Sequence, residues 1–149
     1  MKIISGRVLS FKKNPFYNSI SDSYHLIEKG GVVINNNIIE DFGDLNHLKQ
    51  KYPHSKVYNY GKSLISSGFI DSHMHYPQTG IIASWGKRLI DWLNTYTFPE
   101  EEKYGNSKYA EQIADIYLDF LVSNGTTSVS TFCTIHPESV DAIFLAAQK

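Results

Sequence analysis

GFIDSHMHYPQ, from Gly68 to Gln78, runs from a short apolar segment straight into His73 and His75, two of the chain's six histidines. Residues i and i+2 of a strand project to one face, so an HxH pair there presents two imidazoles to a single point. GFID itself reads as a strand buried on both faces, the habit of parallel sheets. Two neutral imidazoles suit zinc or another borderline divalent cation, although a catalytic site needs at least one more protein ligand. Asp71, two residues before His73, shares the histidines' parity and is expected to orient the strand end. Taken alone, an HxH pair reads as two surface or half-buried histidines. The placement favours a metal: glycine, apolar strand, Asp, HxH, then a polar loop.

Downstream, residues 76–106 read as a long, aromatic-rich connection, uncommon unless it has a task. A helix follows, with Tyr109, Ile113, Ile116, Tyr117, Phe120 and Leu121 at helical spacing. Asn106 or Ser107 caps its start, and Asn124-Gly125 ends it. TTSVSTFC is a β-branched strand. Pro137 opens a second helix with Val140, Ile143, Phe144 and Ala147 as the expected buried stripe. Strand, crossover helix, strand, helix is the beginning of a parallel α/β fold. His136 is expected to cap the second helix, and Cys133 to be a small buried hydrophobe.

Upstream, residues 1–65 read as short strands broken by polar turns. YHLIEKGGVVINNNII is expected to be strand, glycine turn, strand, with Asn35-Asn36-Asn37 as a reversal. Asp44 caps a helical turn that Pro53 stops. His25, His47 and His54 lie in polar sequence and are expected to be solvated.

Fourteen Lys and Arg against fifteen Asp and Glu leave a net charge of -1, with no basic stripe to favour nucleic acid or a membrane surface. One cysteine excludes an intrachain disulfide and fits a reducing compartment. No signal-peptide pattern and no apolar run of about 20 residues occurs, so a cytoplasmic protein is expected. The HExxH, CxxC, HxE…PCxxC, GxGxxG, GxxxxGK[ST] and GxSxG patterns are all absent.

At GFIDSHMH the chain resembles the amidohydrolase superfamily. At HYPQTGIIASWGKRLIDWLNTYTFPEE and GTTSVSTFCTIHPESVDAIFLAA it resembles the guanine deaminases within it. The resemblance implies an α/β fold: the start of a metal-dependent (β/α)8 barrel over residues 66–149, preceded at 1–65 by strands of a flanking β-sandwich. It implies zinc, with iron or another divalent cation as alternatives, on His73 and His75. It also implies a purine bordered by His75 and Gln78, the Gln78 amide bonding the base, with Trp92 either walling the pocket or anchoring its loop. Ser67 departs from the family, which has proline before GFID.

The implied reaction is zinc-assisted hydrolysis of guanine to xanthine and ammonia, in a homodimer of the full-length enzyme. The remaining metal ligands and the proton shuttle are expected beyond Lys149, since a barrel of this kind takes about 250 residues and eight strands. The chain is therefore expected to be the N-terminal third of an enzyme, inactive alone. Two other readings stand beside this one: a related ring as substrate (another aminopurine, a pterin or a triazine), and a non-catalytic fragment.

Overall fold

KIISGRVLSF, rich in β-branched residues, forms strand β1 (Lys2–Phe11) in the computed structural model, which describes all 149 residues. The chain divides into Met1–Ser67 and Gly68–Lys149.

In the first unit β1 is followed by a single helical turn α1 (Ile20–Ser23), strands β2 (Tyr24–Asn35) and β3 (Ile38–Asp44), helix α2 (Leu45–Lys51) and strand β4 (Lys56–Ile65). The sheet order is β3-β2-β1-β4, with β1 antiparallel to β2 and parallel to β4. Asn36 and Asn37 take φ of 47° and 65°, the left-handed pair that a two-residue reversal between β2 and β3 requires. The Asp44 carboxylate caps α2 by accepting from the Asn46 and His47 N–H groups at 2.9 and 3.1 Å. The expected glycine turn does not form. β2 runs straight through Gly30 and Gly31, and a Cβ on Gly30 would lie 2.7 Å from the Val8 side chain, so the glycine serves close packing instead. Leu48 of α2 covers one face of the sheet with Ile3 and Val33. Alternate residues Ile4, Val32, Ile34, Ile39 and Phe42 line an open apolar groove of about 550 Å³.

The second unit contains strand β5 (Phe69–His75), short helices α3 (Leu89–Trp92) and α4 (Phe98–Glu101), helix α5 (Ser107–Ser123), strand β6 (Thr126–Phe132) and helix α6 (Pro137–Ala146). β5 and β6 pair in parallel, as a strand–helix–strand crossover demands. The connection 76–106 is largely helical: 3₁₀ turns at Tyr76–Ile81 and Glu102–Gly105, α3, a π-helical turn at Leu93–Thr97, and α4.

Two sequence expectations change here. GFID is not buried on both faces, for Phe69 is 67% and Ile70 79% exposed. The sheet has two strands, and the buried cluster packs against Met74 and Val129. On α5 the expected Tyr117 and Leu121 are buried, joined by Ala110 and Ala114, with Tyr109 and Ile113 packed against them and Phe120 53% exposed. On α6 the buried face is Ser139, Ala142, Ile143 and Ala146, leaving Phe144 67% exposed. Alanines on both helices face into one cluster, where small side chains let packed helices approach closely. Bulky residues thus divide: Tyr117, Leu121 and Ile143 face the cluster, while Phe120 and Phe144 point outward.

The centre of this unit is aromatic. Tyr76 and Tyr104 meet edge to face at 5.2 Å, Tyr104 and Tyr109 likewise at 5.3 Å, and Tyr117 lies tilted against Tyr76 at 5.8 Å. Burial raises the hydroxyl pKa of all four above the ordinary 10.0, and the Glu100 carboxylate adds to the rise at Tyr109, which is pushed up to about 12. No helix is long and apolar enough to cross a membrane.

These shifts have a definite sign. The folded tyrosines keep protons that unfolded ones lose, so their contribution is intact below pH 10 and declines as pH rises past it. In an alkaline titration of the chain, exposed tyrosines should ionise first. The remaining tyrosinate absorbance should then appear together with loss of helical circular dichroism. A single tyrosinate transition with no loss of structure would contradict the buried cluster.

Candidate active site

The alternation expected of the strand holds at the histidines. Met74 packs against the buried cluster, and His73 and His75 on either side of it bring their Nε2 atoms to 3.3 Å from each other. Two nitrogens bonded to one tetrahedral zinc at about 2.0–2.1 Å stand about 3.4 Å apart, so the pair fits two ligands of such an ion. At this distance one ring's Nε2–H can also donate to the other's lone pair, the direction set by the tautomers. No group of three His, Cys, Asp or Glu side chains gathers in the chain to hold a metal.

Phe132, a residue that sequence reasoning passed over, lies opposite His75 in the β5–β6 register. Its ring stacks on His75 at 4.8 Å and 20° and leans on His73 at 5.2 Å. The signal was in the parallel register, which the sequence alone does not supply. Asp71 lines the same cleft as the two histidines. β5 carries one more residue than β6 between Asp71 and Met74, a bulge that breaks strict alternation there. Asp71 is tied to the site by its carboxylate, which accepts the His73 N–H at 3.0 Å.

The chain after His75 is fixed by Tyr76. Its side chain is wholly buried, its hydroxyl donates to the Ser139 carbonyl at 2.9 Å, and its N–H donates to Thr131 Oγ1 at 3.0 Å. Two residues on, Gln78 lines an open cleft of about 650 Å³ together with His73, His75, Trp92 and Phe120. That volume lies within the range of small-molecule sites. Trp92 also anchors its own loop, its indole N–H donating to Ser84 Oγ at 2.8 Å.

The other candidates take structural places. His25, His47 and His54 are exposed. His136 occupies the N-cap position of α6, but its side chain makes no capping bond. Ser139 ties the turn instead, accepting the Thr134 N–H at 3.0 Å and donating to the His136 carbonyl at 2.9 Å. Cys133 is half-buried and burial pushes its thiol pKa up, the reverse of what an activated nucleophile needs.

Against this geometry the comparisons are consistent with one another. No family model matches the chain. Guanine deaminase from Escherichia coli is 39% identical over 151 residues, covering 99% of this chain and 34% of that protein. The solved E. coli structure superposes with a TM-score of 0.91 at 36% identity, over 99% of this chain and 35% of its own. Guanine deaminase from Bradyrhizobium japonicum gives a TM-score of 0.93 at 28% identity, over 99% and 32%. The Clostridial enzyme (C. acetobutylicum), solved with guanine in its active site, gives 0.79 at 30%, over 97% and 32%. The chain spans about a third of the length of the relatives it matches.

The Tyr76 anchor is testable by itself. Tyr76→Phe keeps the ring and removes the hydroxyl bond to Ser139, a loss of about 1 kcal/mol. It should lower the urea midpoint with the slope unchanged. An unchanged midpoint would mean that the bond contributes nothing.

Proposed function

We propose, for a chain homologous along its whole length to the N-terminal portion of guanine deaminases, that the complete protein hydrolyses guanine to xanthine and ammonia. The observation that carries this reading is the convergence of His73 and His75 Nε2 atoms at 3.3 Å in the cleft that Gln78 also lines. The division of the chain at Ser67 and Gly68 supports the reading of residues 66–149 as the first two strand–helix units of an amidohydrolase barrel. The apolar groove on the sheet of residues 1–67 supports that sheet as one half of a β-sandwich.

His73 and His75 would hold a divalent metal, with zinc the first choice for two imidazoles. When bound, such an ion supplies a water acid enough to serve as nucleophile near neutral pH. The chain's own residues do the rest of the work available to them. Asp71 fixes the backbone of His73, and Phe132 packs against both imidazole rings. Gln78, which both donates and accepts hydrogen bonds, is suited to a purine edge that carries both kinds of group. Trp92, bound to Ser84, keeps the loop beside the cleft in place and gives the base an aromatic wall. The balance of the reaction is simple: water adds at the amino-bearing ring carbon, and the amine leaves as ammonia after protonation. The acid for that step is expected from the rest of the protein, in keeping with a cytoplasmic hydrolase of which this chain is one part.

Ammonia release by the complete protein from guanine, adenine and cytosine tests the substrate. Guanine should be strongly preferred, and equal rates on guanine and adenine would favour a related ring instead. Gln78→Ala should lower kcat/KM for guanine by roughly 5- to 150-fold, the equivalent of about 1–3 kcal/mol for an unpaired buried polar group. The 149-residue chain alone should release no ammonia and bind zinc weakly, because a catalytic zinc requires three protein ligands.

A further inference from the structure

One buried carboxylate has no part in the chemistry above. Glu100, at the end of the WLNTYTFPEE segment, is 5% exposed. Its Oε1 accepts the Tyr109 hydroxyl from α5, and its Oε2 pairs with Lys103. The same Oε1 faces Gly80, where a Cβ would lie 2.7 Å away, so the backbone at residue 80 rests directly on the carboxylate. Three residues earlier in the same 3₁₀ turn, the Pro77 carbonyl accepts the hydroxyl of the wholly buried Tyr104 at 3.1 Å. Gln78 lies between these two points of support, one residue after Pro77 and two before Gly80.

We propose that Glu100 is a positioning residue for substrate recognition: with Tyr104 it fixes the turn that aims Gln78 at the purine, and it acts through Gln78 alone. This rests on the guanine reading above. The buried carboxylate is held from two sides and is therefore a rigid seat. Tyr109 comes from the long helix α5, and Lys103 from the 3₁₀ turn beside it. The charge that burial would make costly is offset by Lys103 and the tyrosine hydroxyl. Glycine at position 80 lets the turn sit against that seat with no side chain between them. The amide of Gln78 is thereby registered to the core instead of floating on a surface loop, and orientation of this kind governs binding and turnover.

The test is a double-mutant cycle in the complete, zinc-loaded protein. Glu100→Ala and, as a milder variant, Tyr109→Phe should raise KM for guanine about tenfold while kcat changes by less than about threefold. Zinc content per chain should stay at the wild-type value. In a Gln78→Ala background either change should alter KM by less than about twofold, because the group it positions is gone. Glu100→Gln, which can still accept the Tyr109 hydroxyl, should recover most of the wild-type KM. Equal KM effects with and without Gln78, or a loss that falls on zinc content or kcat, would overturn the proposal and leave the guanine reading standing. A wild-type protein that does not deaminate guanine would overturn both.

Discussion

Everything in the candidate site hangs on the burial of one side chain, Tyr76. It follows His75 directly and precedes Gln78 by two residues, so its position dictates theirs. The ring is wholly enclosed, edge-on to Tyr104 and tilted against Tyr117, contacts each worth about 0.5–1.5 kcal/mol beyond their area. Its hydroxyl reaches α6 at Ser139 and its N–H reaches β6 at Thr131, so one residue ties β5, β6 and α6 together. A strand that ended at Asp71 would leave both imidazoles on a mobile loop. Because Met74 and Tyr76 are both drawn into the core, His73 and His75 are carried on β5 with one face in common.

This arrangement explains why the histidine pair was legible in the sequence while its surroundings were not. Period-two alternation is local, and His73-Met74-His75 obeys it with no knowledge of the rest of the fold. The α5 and α6 helices, the Asn106 and Asp44 caps and the Asn36-Asn37 reversal were equally local and equally readable. What failed were the inferences that needed a partner. The Gly30-Gly31 pair looks like a turn until Val8 is placed against it. Phe120 and Phe144 look like core until the alanines of α5 and α6 take the inner positions. Phe132 and Glu100 carry no local signature at all: one depends on the β5–β6 register, the other on a 3₁₀ turn twenty residues upstream. Gln78 and Trp92 were found through a likeness to known proteins, for neither spacing nor burial pattern singles them out.

The chain's exposed apolar residues follow from the same constraint. Phe69 and Ile70 on β5 and Phe132 on β6 remain open because two strands offer each other one edge and the helices cover one face. A sheet with free edges is normally paired or covered. The cleft shares this openness. One side is backed by the core through Tyr76, Tyr104 and Glu100, and no third His, Cys, Asp or Glu side chain joins the histidine pair at its rim.

On the proposed reading, β5, locked by Tyr76, aims two imidazoles at one metal ion. Anomalous diffraction at the zinc edge, from crystals of the complete protein grown with zinc, tests it most directly. The expected result is a peak about 2.0–2.1 Å from Nε2 of both His73 and His75. A zinc peak bound to one of them alone, or to neither, would contradict it.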